Sequence, residues 1–169
     1  MHPAASSAAP VVRLPGLARL DAFNVAGPSR RFDPASTAGI PGLWAELAAV
    51  LPIPDQRPGR AAYGLIWDED RAVGSFRYLA GVRTEPACAL PPGFALKQVP
   101  AAAYAVFRIT LDGSAVHPQM KAAMAAIRGR LLPGSGLAVA DGPCFELHDG
   151  RAAVDAPGAV VDFHVPVDA

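Results

Sequence analysis

The sequence predicts an α+β fold built from a duplicated strand-helix-strand-strand unit. Three observations predict it. Strand, helix, strand, strand signals occur in that order twice along 169 residues. Two stretches carry apolar residues at helical spacing, and each is followed by aromatic and β-branched runs bounded by turn residues. The two halves can also be laid over one another. "YGLIWD" lies over "CFELHD", pairing Tyr63 with Cys144, Leu65 with Glu146 and Trp67 with His148, while "RYLAGV" lies over "DFHVPV", pairing Tyr78 with Phe163 and Gly81 with Pro166. Identity between the halves is low, so the order of elements carries the case. Two such units are expected to be related by a pseudo-twofold axis. They would form an antiparallel sheet with both helices on one side and a central ligand groove.

The elements follow in order. Residues 1–15 are rich in Ala, Ser and Pro and are expected to form a flexible tail, leaving 16–169 as one domain with repeat halves of about 17–85 and 93–168. "LARLDAFNVAGPSRRFD" reads as an extended strand interrupted at Ala26-Gly27-Pro28. "STAGIPGLWAELAAVL" reads as a helix with Ser36 or Thr37 as cap, Pro41 in the first turn, and Ile40, Leu43, Trp44, Leu47 and Leu51 on one face. Pro52 and Pro54 stop it. "AAYGLIWDED" and "GSFRYLAGVRT" form a hairpin, and "EPACALPPG" is the linker between halves. "FALKQVPAAAYAVFRITLDG" is again an interrupted strand. "SAVHPQMKAAMAAIRGRLL" is a helix with Val116, Met120, Met124, Ile127 and Leu131 on one stripe. "CFELHD" and "AVVDFHVPV" are the last strands.

Composition bounds the function. Hydrophobic residues make up 51% and charged residues 18%, which is a globular balance. Fifteen basic residues offset fifteen acidic ones, so the chain lacks the electrostatic footprint of a direct nucleic-acid or anionic-membrane binder. Two cysteines, Cys88 and Cys144, allow one disulfide but make no disulfide framework. The N-terminal stretch has no basic n-region and no continuous apolar run, so no signal peptide is read there. No run approaches the roughly 18 apolar residues of a membrane span. A cytoplasmic location is expected.

Glu146 stands in the middle of a strand, flanked at alternate positions by Cys144 and His148. Side chains alternate across a strand. If Phe145 and Leu147 pack under the helices, Glu146 faces a groove on the opposite face. By the repeat, Tyr63, Leu65 and Trp67 then line the same groove.

Seven landmarks in order, "IPGLWAEL", "AAYGLIWDED", "FRYLAGV", "VPAAAYAVF", "LLPGSG", "PCFELHD" and "DFHVPV", resemble those of the gyrase-inhibitor-like small-molecule-binding family. That family also supplies effector-binding domains of AraC-type and MerR-type transcription regulators. The resemblance covers about residues 17–168. It implies the duplicated fold and a pocket of aromatic side chains and one glutamate for hydrophobic, often cationic, organic molecules. That glutamate maps onto Glu146. The family often has Tyr where His148 stands, which weakens any carry-over of chemistry that needs a phenol there.

The candidate ligand-binding residues are Glu146, Tyr63, Trp67, Leu65, Phe76, Tyr78, Trp44, Tyr104, His148 and Phe163. A carboxylate beside aromatic walls is partly desolvated, and an organic cation restores its charge balance. Aromatic faces add cation–π attraction of roughly 0.5–2 kcal/mol per favourable contact. Phe76 and Tyr78 share a strand face. Trp44 lies on the apolar face of the first helix, where its ring edge can reach the groove. Tyr104 and Phe107 lie on opposite faces, so at most one enters it. The four histidines and two cysteines lack zinc-like spacing, so no metal and no cofactor is expected. "DEDR" at 68–71 reads as a solvated hairpin tip. "LPGSG" lacks the Gly-Lys-Ser/Thr of a phosphate loop, and no Gly-x-Ser-x-Gly motif occurs.

Three readings follow. The first is a stand-alone binding protein for hydrophobic or cationic small molecules, used in sensing or sequestration. The second is a hydrolase of cyclopropane-bearing toxins, with Glu146 activating water and Tyr63 donating a hydrogen bond. The third is a protein-interaction role of the gyrase-inhibitor type. Gyrase or a separate regulator would be the protein partner, and the chain itself would be a monomer or weak homodimer.

Overall fold

The computed structural model describes residues 10–86 and 89–169. In chain order it contains β1 (Val11–Leu20), β2 (Phe23–Phe32), α1 (Ile40–Val50), β3 (Ala62–Asp70), β4 (Ser75–Thr84), β5 (Phe94–Val99), β6 (Ala102–Thr110), α2 (Val116–Ala126), β7 (Ala138–Val139), β8 (Cys144–His148) and β9 (Val160–Asp168). The strands form one sheet in the order β1-β6-β9-β8-β3-β4-β2-β5, with β7 on β9, and every pairing is antiparallel.

That order is symmetric about the β8–β3 junction. On one side lie β9 and β6, and on the other β4 and β2. The outer strands are exchanged. β1, at the start of the first unit, edges β6 of the second, and β5, at the start of the second unit, edges β2 of the first. Each stretch read as one interrupted strand is therefore two strands whose arms cross. The second break falls at Pro100-Ala101, as expected. The first falls at Asp21-Ala22, and β2 runs straight through Gly27-Pro28. Gly27 is there because the backbones touch: a Cβ on it would lie 1.8 Å from the Ala80 carbonyl oxygen. β1 begins at Val11, so the sheet takes in residues 11–15 of the expected tail; residues 1–9 lie outside the described residues, as does Cys88.

The helices form where the spacing predicts. In α1, Leu43 and Leu47 are buried, with Ile40 and Trp44 packed beside them. Pro41 occupies the first turn. Ser36 does not cap the helix; its hydroxyl is tied to Asp33 instead, and a 3-10 turn over Thr37–Gly39 leads in. α2 buries Met120 and Ala123, then widens into a π-helical turn over Ile127–Leu131 and ends at Gly134. Both helices pack on the same face of the sheet, where their apolar sides meet Phe32, Ile66, Tyr78, Phe107, Phe163 and Val165.

The opposite face is buried too. Phe23, Val25, Tyr63, Leu65, Leu79, Val99, Tyr104 and Phe145 form a second cluster there. Phe23 on β2 touches Phe145 on β8 edge-on at 5.6 Å between ring centroids, although β4 and β3 lie between those strands. The sheet therefore curls around this cluster. The crossed arms close it, with Leu20 paired to Ala102 and Phe23 to Val99. Both faces of β8 are therefore covered, with Phe145 buried on one and Glu146 on the other.

Candidate functional site

A groove of about 1240 Å³ opens between α1 and α2, on the helix side of the sheet. Its floor is made by β3, β4 and β8, with Ala62, Ile66, Phe76, Tyr78, Glu146 and His148. Ile40, Pro41 and Trp44 of α1 form one wall. Val116, Met120 and Met124 of α2 form the other, and the β8–β9 loop from Asp149 to Val154 borders the mouth.

This placement corrects the expected face. Phe145 and Leu147 belong to the far-side cluster, and Glu146 projects toward the helices. On β3 the register pairs Gly64, not Leu65, with Glu146. The overlay of Tyr63 on Cys144 was thus one residue out of step, and a one-residue slip moves every side chain to the other face. Tyr63, Leu65, Trp67 and Tyr104 lie in the far-side cluster, away from the groove. Phe163 is on the helix side but fully buried in the core beneath. Phe107 is likewise core, so neither it nor Tyr104 enters the groove. Glu146, Tyr78, Trp44, Phe76 and His148 do line it.

Glu146 is 7% exposed. Its Oε2 accepts a hydrogen bond from the Tyr78 hydroxyl at 3.0 Å, and the Tyr78 oxygen in turn accepts from Trp44 Nε1–H at 3.0 Å. Burial pushes the Tyr78 pKa well above the ordinary phenol value, and the neighbouring carboxylate charge adds to the rise. The phenol therefore keeps its proton and serves as donor. His148 Nε2 lies 3.2 Å from the same Oε2, and donates when that nitrogen carries the proton. The imidazole meets the Trp44 ring edge-on at 4.8 Å between centroids. Oε1 has no hydrogen bond among the described residues.

Cations stand at the rim as well. Arg108 is held by Asp162 at 3.0 Å and Arg128 by Glu69, so Glu69 of the "DEDR" hairpin is tied to the π-helical turn that follows α2 rather than merely solvated. Lys121 and Arg60 are exposed. Solvated charges of this kind are screened within about 8–10 Å at ordinary salt, whereas a buried carboxylate is not. Glu146, buried at the groove floor, is screened much less than these rim charges.

The α2 wall was visible in the sequence only as a core stripe. Met120 and Met124 face the groove from the same positions that pack the helix, so spacing alone does not separate the two roles. Ala62 and Ile66 gave no signal, being ordinary strand residues.

The family model of the GyrI-like small molecule binding domain matches residues 17–167. Transcriptional regulator BrlR of Pseudomonas aeruginosa is 32% identical over 149 residues, covering 86% of this chain and 52% of the relative. The chain therefore spans about half the length of that curated relative. Among solved structures, SAV2435 bound to tetraphenylphosphonium shares the fold with a TM-score of 0.68 and 16% identity, covering 91% of this chain and 93% of that one. A putative transcription regulation protein from Staphylococcus aureus MU50 matches with a TM-score of 0.65 and 16% identity over 92% of this chain and 98% of that one.

Proposed function

Since this chain belongs to the family of GyrI-like small molecule binding domains, we propose that its groove takes up lipophilic organic cations, with Glu146 as their charge partner. One observation carries the reading: a carboxylate is 7% exposed at the floor of an apolar groove, and among the described residues its hydrogen-bond partners are a phenol and a titratable imidazole, with no Arg or Lys paired to it. Leaving a buried carboxylate without a countercharge is costly. A ligand cation near Oε1 offsets that cost, the Trp44 and Phe76 rings supply cation–π and apolar contact, and the methionines of α2 adapt to its shape. SAV2435, whose fold this chain shares, is bound to a ligand of this class. The likeness to a transcriptional regulator supports sensing as the use of such uptake.

The test is titration calorimetry of wild type and Glu146→Gln with tetraphenylphosphonium and with neutral triphenylphosphine oxide. Glutamine keeps the shape and removes the charge. The cation should lose about 1–3 kcal/mol, roughly ten- to a hundredfold in affinity, while the neutral compound loses little. Equal losses, or none, would overturn the reading.

A hydrolytic use of the same site has one observation in its favour, the placing of His148 3.2 Å from Glu146, where the pair can take a proton from water. Tyr63 is on the far face, so Tyr78 would be the hydrogen-bond donor in that case. Repeated turnover of a cyclopropane-bearing alkylating agent by wild type, lost in Glu146→Gln, would replace uptake by hydrolysis.

A further inference from the structure

Gly64 faces Glu146 directly across the β3–β8 ladder, at its midpoint. The ladder is the seam between the two repeat units, so Gly64 occupies in the first unit the place that Glu146 occupies in the second. A Cβ built on Gly64 would lie 2.3 Å from the Tyr78 hydroxyl, 2.9 Å from Tyr78 Cζ and 2.8 Å from Glu146 Oε2. The space of the missing side chain is therefore taken by the Tyr78 hydroxyl and the carboxylate oxygen that it binds. Gly64 has no positive φ, so backbone conformation does not require glycine there. Space does.

We propose that Gly64 is the positioning residue for charge selection in the groove, an inference that rests on the uptake of cations proposed above. By giving its volume to the Tyr78 hydroxyl, Gly64 lets that hydroxyl reach across from β4, on the far side of β3, to clamp Oε2 of Glu146. The clamp holds one carboxylate oxygen and turns Oε1 over to the ligand. It also makes the site asymmetric. One unit contributes a carboxylate and the other contributes a vacancy, so the groove presents a single negative charge on its central seam and selects a monocation.

A methyl group at position 64 separates Tyr78 from Glu146 without touching the walls that hold the ligand's rings. Tetraphenylphosphonium and triphenylphosphine oxide are again the probes, titrated into wild type, Gly64→Ala, Tyr78→Phe and the double variant. Gly64→Ala should lose about tenfold or more for the cation, the scale of one hydrogen bond to a charged group, and less than about threefold for the neutral compound. Because Gly64 acts through the Tyr78 hydroxyl, the double variant should lose far less than the product of the two single losses. Losses that multiply, or equal losses for both probes, would overturn the proposal. A ligand-free readout keeps it testable even if wild type binds neither probe, the result that would sink the uptake reading instead. The Trp44 indole N–H donates to the Tyr78 oxygen, so its proton resonance, assigned with Trp67→Phe, should shift in Gly64→Ala. The same substitution in the Tyr78→Phe background should leave it in place. An unmoved Trp44 resonance in Gly64→Ala would also overturn the proposal. Thermal melts accompany each variant, and a Gly64→Ala protein that does not fold is expected to regain folding with Tyr78→Phe. Failure of that rescue counts against the proposal.

Discussion

Tyr78 and Glu146, 68 residues apart in the chain, meet through a 3.0 Å hydrogen bond on the groove floor. The bond spans from β4 to β8 over the top of β3, and so crosses the seam between the two repeat units. Trp44 extends it to α1. One buried hydroxyl thus ties a helix and both halves of the sheet to the carboxylate.

Tyr78→Phe removes this hydroxyl and little else. Glu146 loses its neutral donor and the Trp44 N–H loses its acceptor. Stability should fall by about 1–3 kcal/mol, the usual cost of leaving buried polar groups without partners. Urea denaturation monitored by circular dichroism checks this. A variant as stable as wild type would show that the bond makes no net contribution in the fold.

The helices, the hairpin and the order of elements were legible in the sequence because each helix has one dry side, and periodicity reports that. The carboxylate of Glu146 was legible because it is the odd charged residue in an apolar strand. The face was not legible. Alternation distinguishes two sides only when one of them is wet, and β8 has Phe145 buried on one side and Glu146 buried on the other. The far side is dried by the curl of the sheet, which brings Phe23 of β2 and Tyr104 of β6 onto Phe145, and is closed by the exchanged arms β1 and β5, whose pairings join residues as distant as Leu20 and Ala102. No local pattern encodes that exchange. Gly64, the residue facing Glu146, was silent because its contribution is an absent side chain.

His164 makes stability depend on pH. It is 5% exposed, stacked on Phe145 at 4.3 Å between centroids, with Nδ1 3.1 Å from the Asp162 carbonyl oxygen. Burial lowers its pKa below the ordinary value of 6.5. The unfolded chain therefore takes up this proton more readily than the fold. The contribution to stability is full above about pH 6.5 and erodes as the pH falls below it, until the folded pKa is passed. His164→Phe keeps the stacking and removes the titration. Denaturation midpoints measured from pH 7.5 down to pH 4.5 should fall less steeply in the variant. Parallel curves would rule His164 out as a source of the acid sensitivity.

Cys144 shares its strand face with Glu146 and is partly buried against the helix-side core. Burial pushes its thiol pKa up to about 11. Relative to an ordinary thiol, that leaves about a hundredfold less thiolate near pH 8. In a Cys88→Ser protein, alkylation by iodoacetamide at pH 8 should be slower than in urea by about that factor or more. Mass spectrometry over time gives the two rates. Comparable rates would show Cys144 to be reachable in the fold.

The two tryptophans divide the two faces, and this division gives the most direct check on where a ligand goes. Trp44 lines the groove and hydrogen-bonds into the Glu146 network. Trp67 packs with the far-side cluster, with the Lys97 ammonium 5.2 Å from its ring centroid. A phenyl-rich cation seated over Glu146 must touch the Trp44 ring or displace its water, and either event changes the indole emission. Trp67 has the thickness of the sheet between it and the groove. Trp44→Phe and Trp67→Phe each leave a single emitter. Titrating tetraphenylphosphonium should change the emission of Trp67→Phe in a saturable way and leave that of Trp44→Phe flat after correction for absorbance. A tenfold excess of Glu146→Gln protein over the amount needed for wild type should be required to produce the same change at fixed ligand, about the factor expected from the lost charge pair. If the signal came from Trp67 instead, the ligand would sit inside the curl of the sheet, and the helix-side groove would have to be given up as the site.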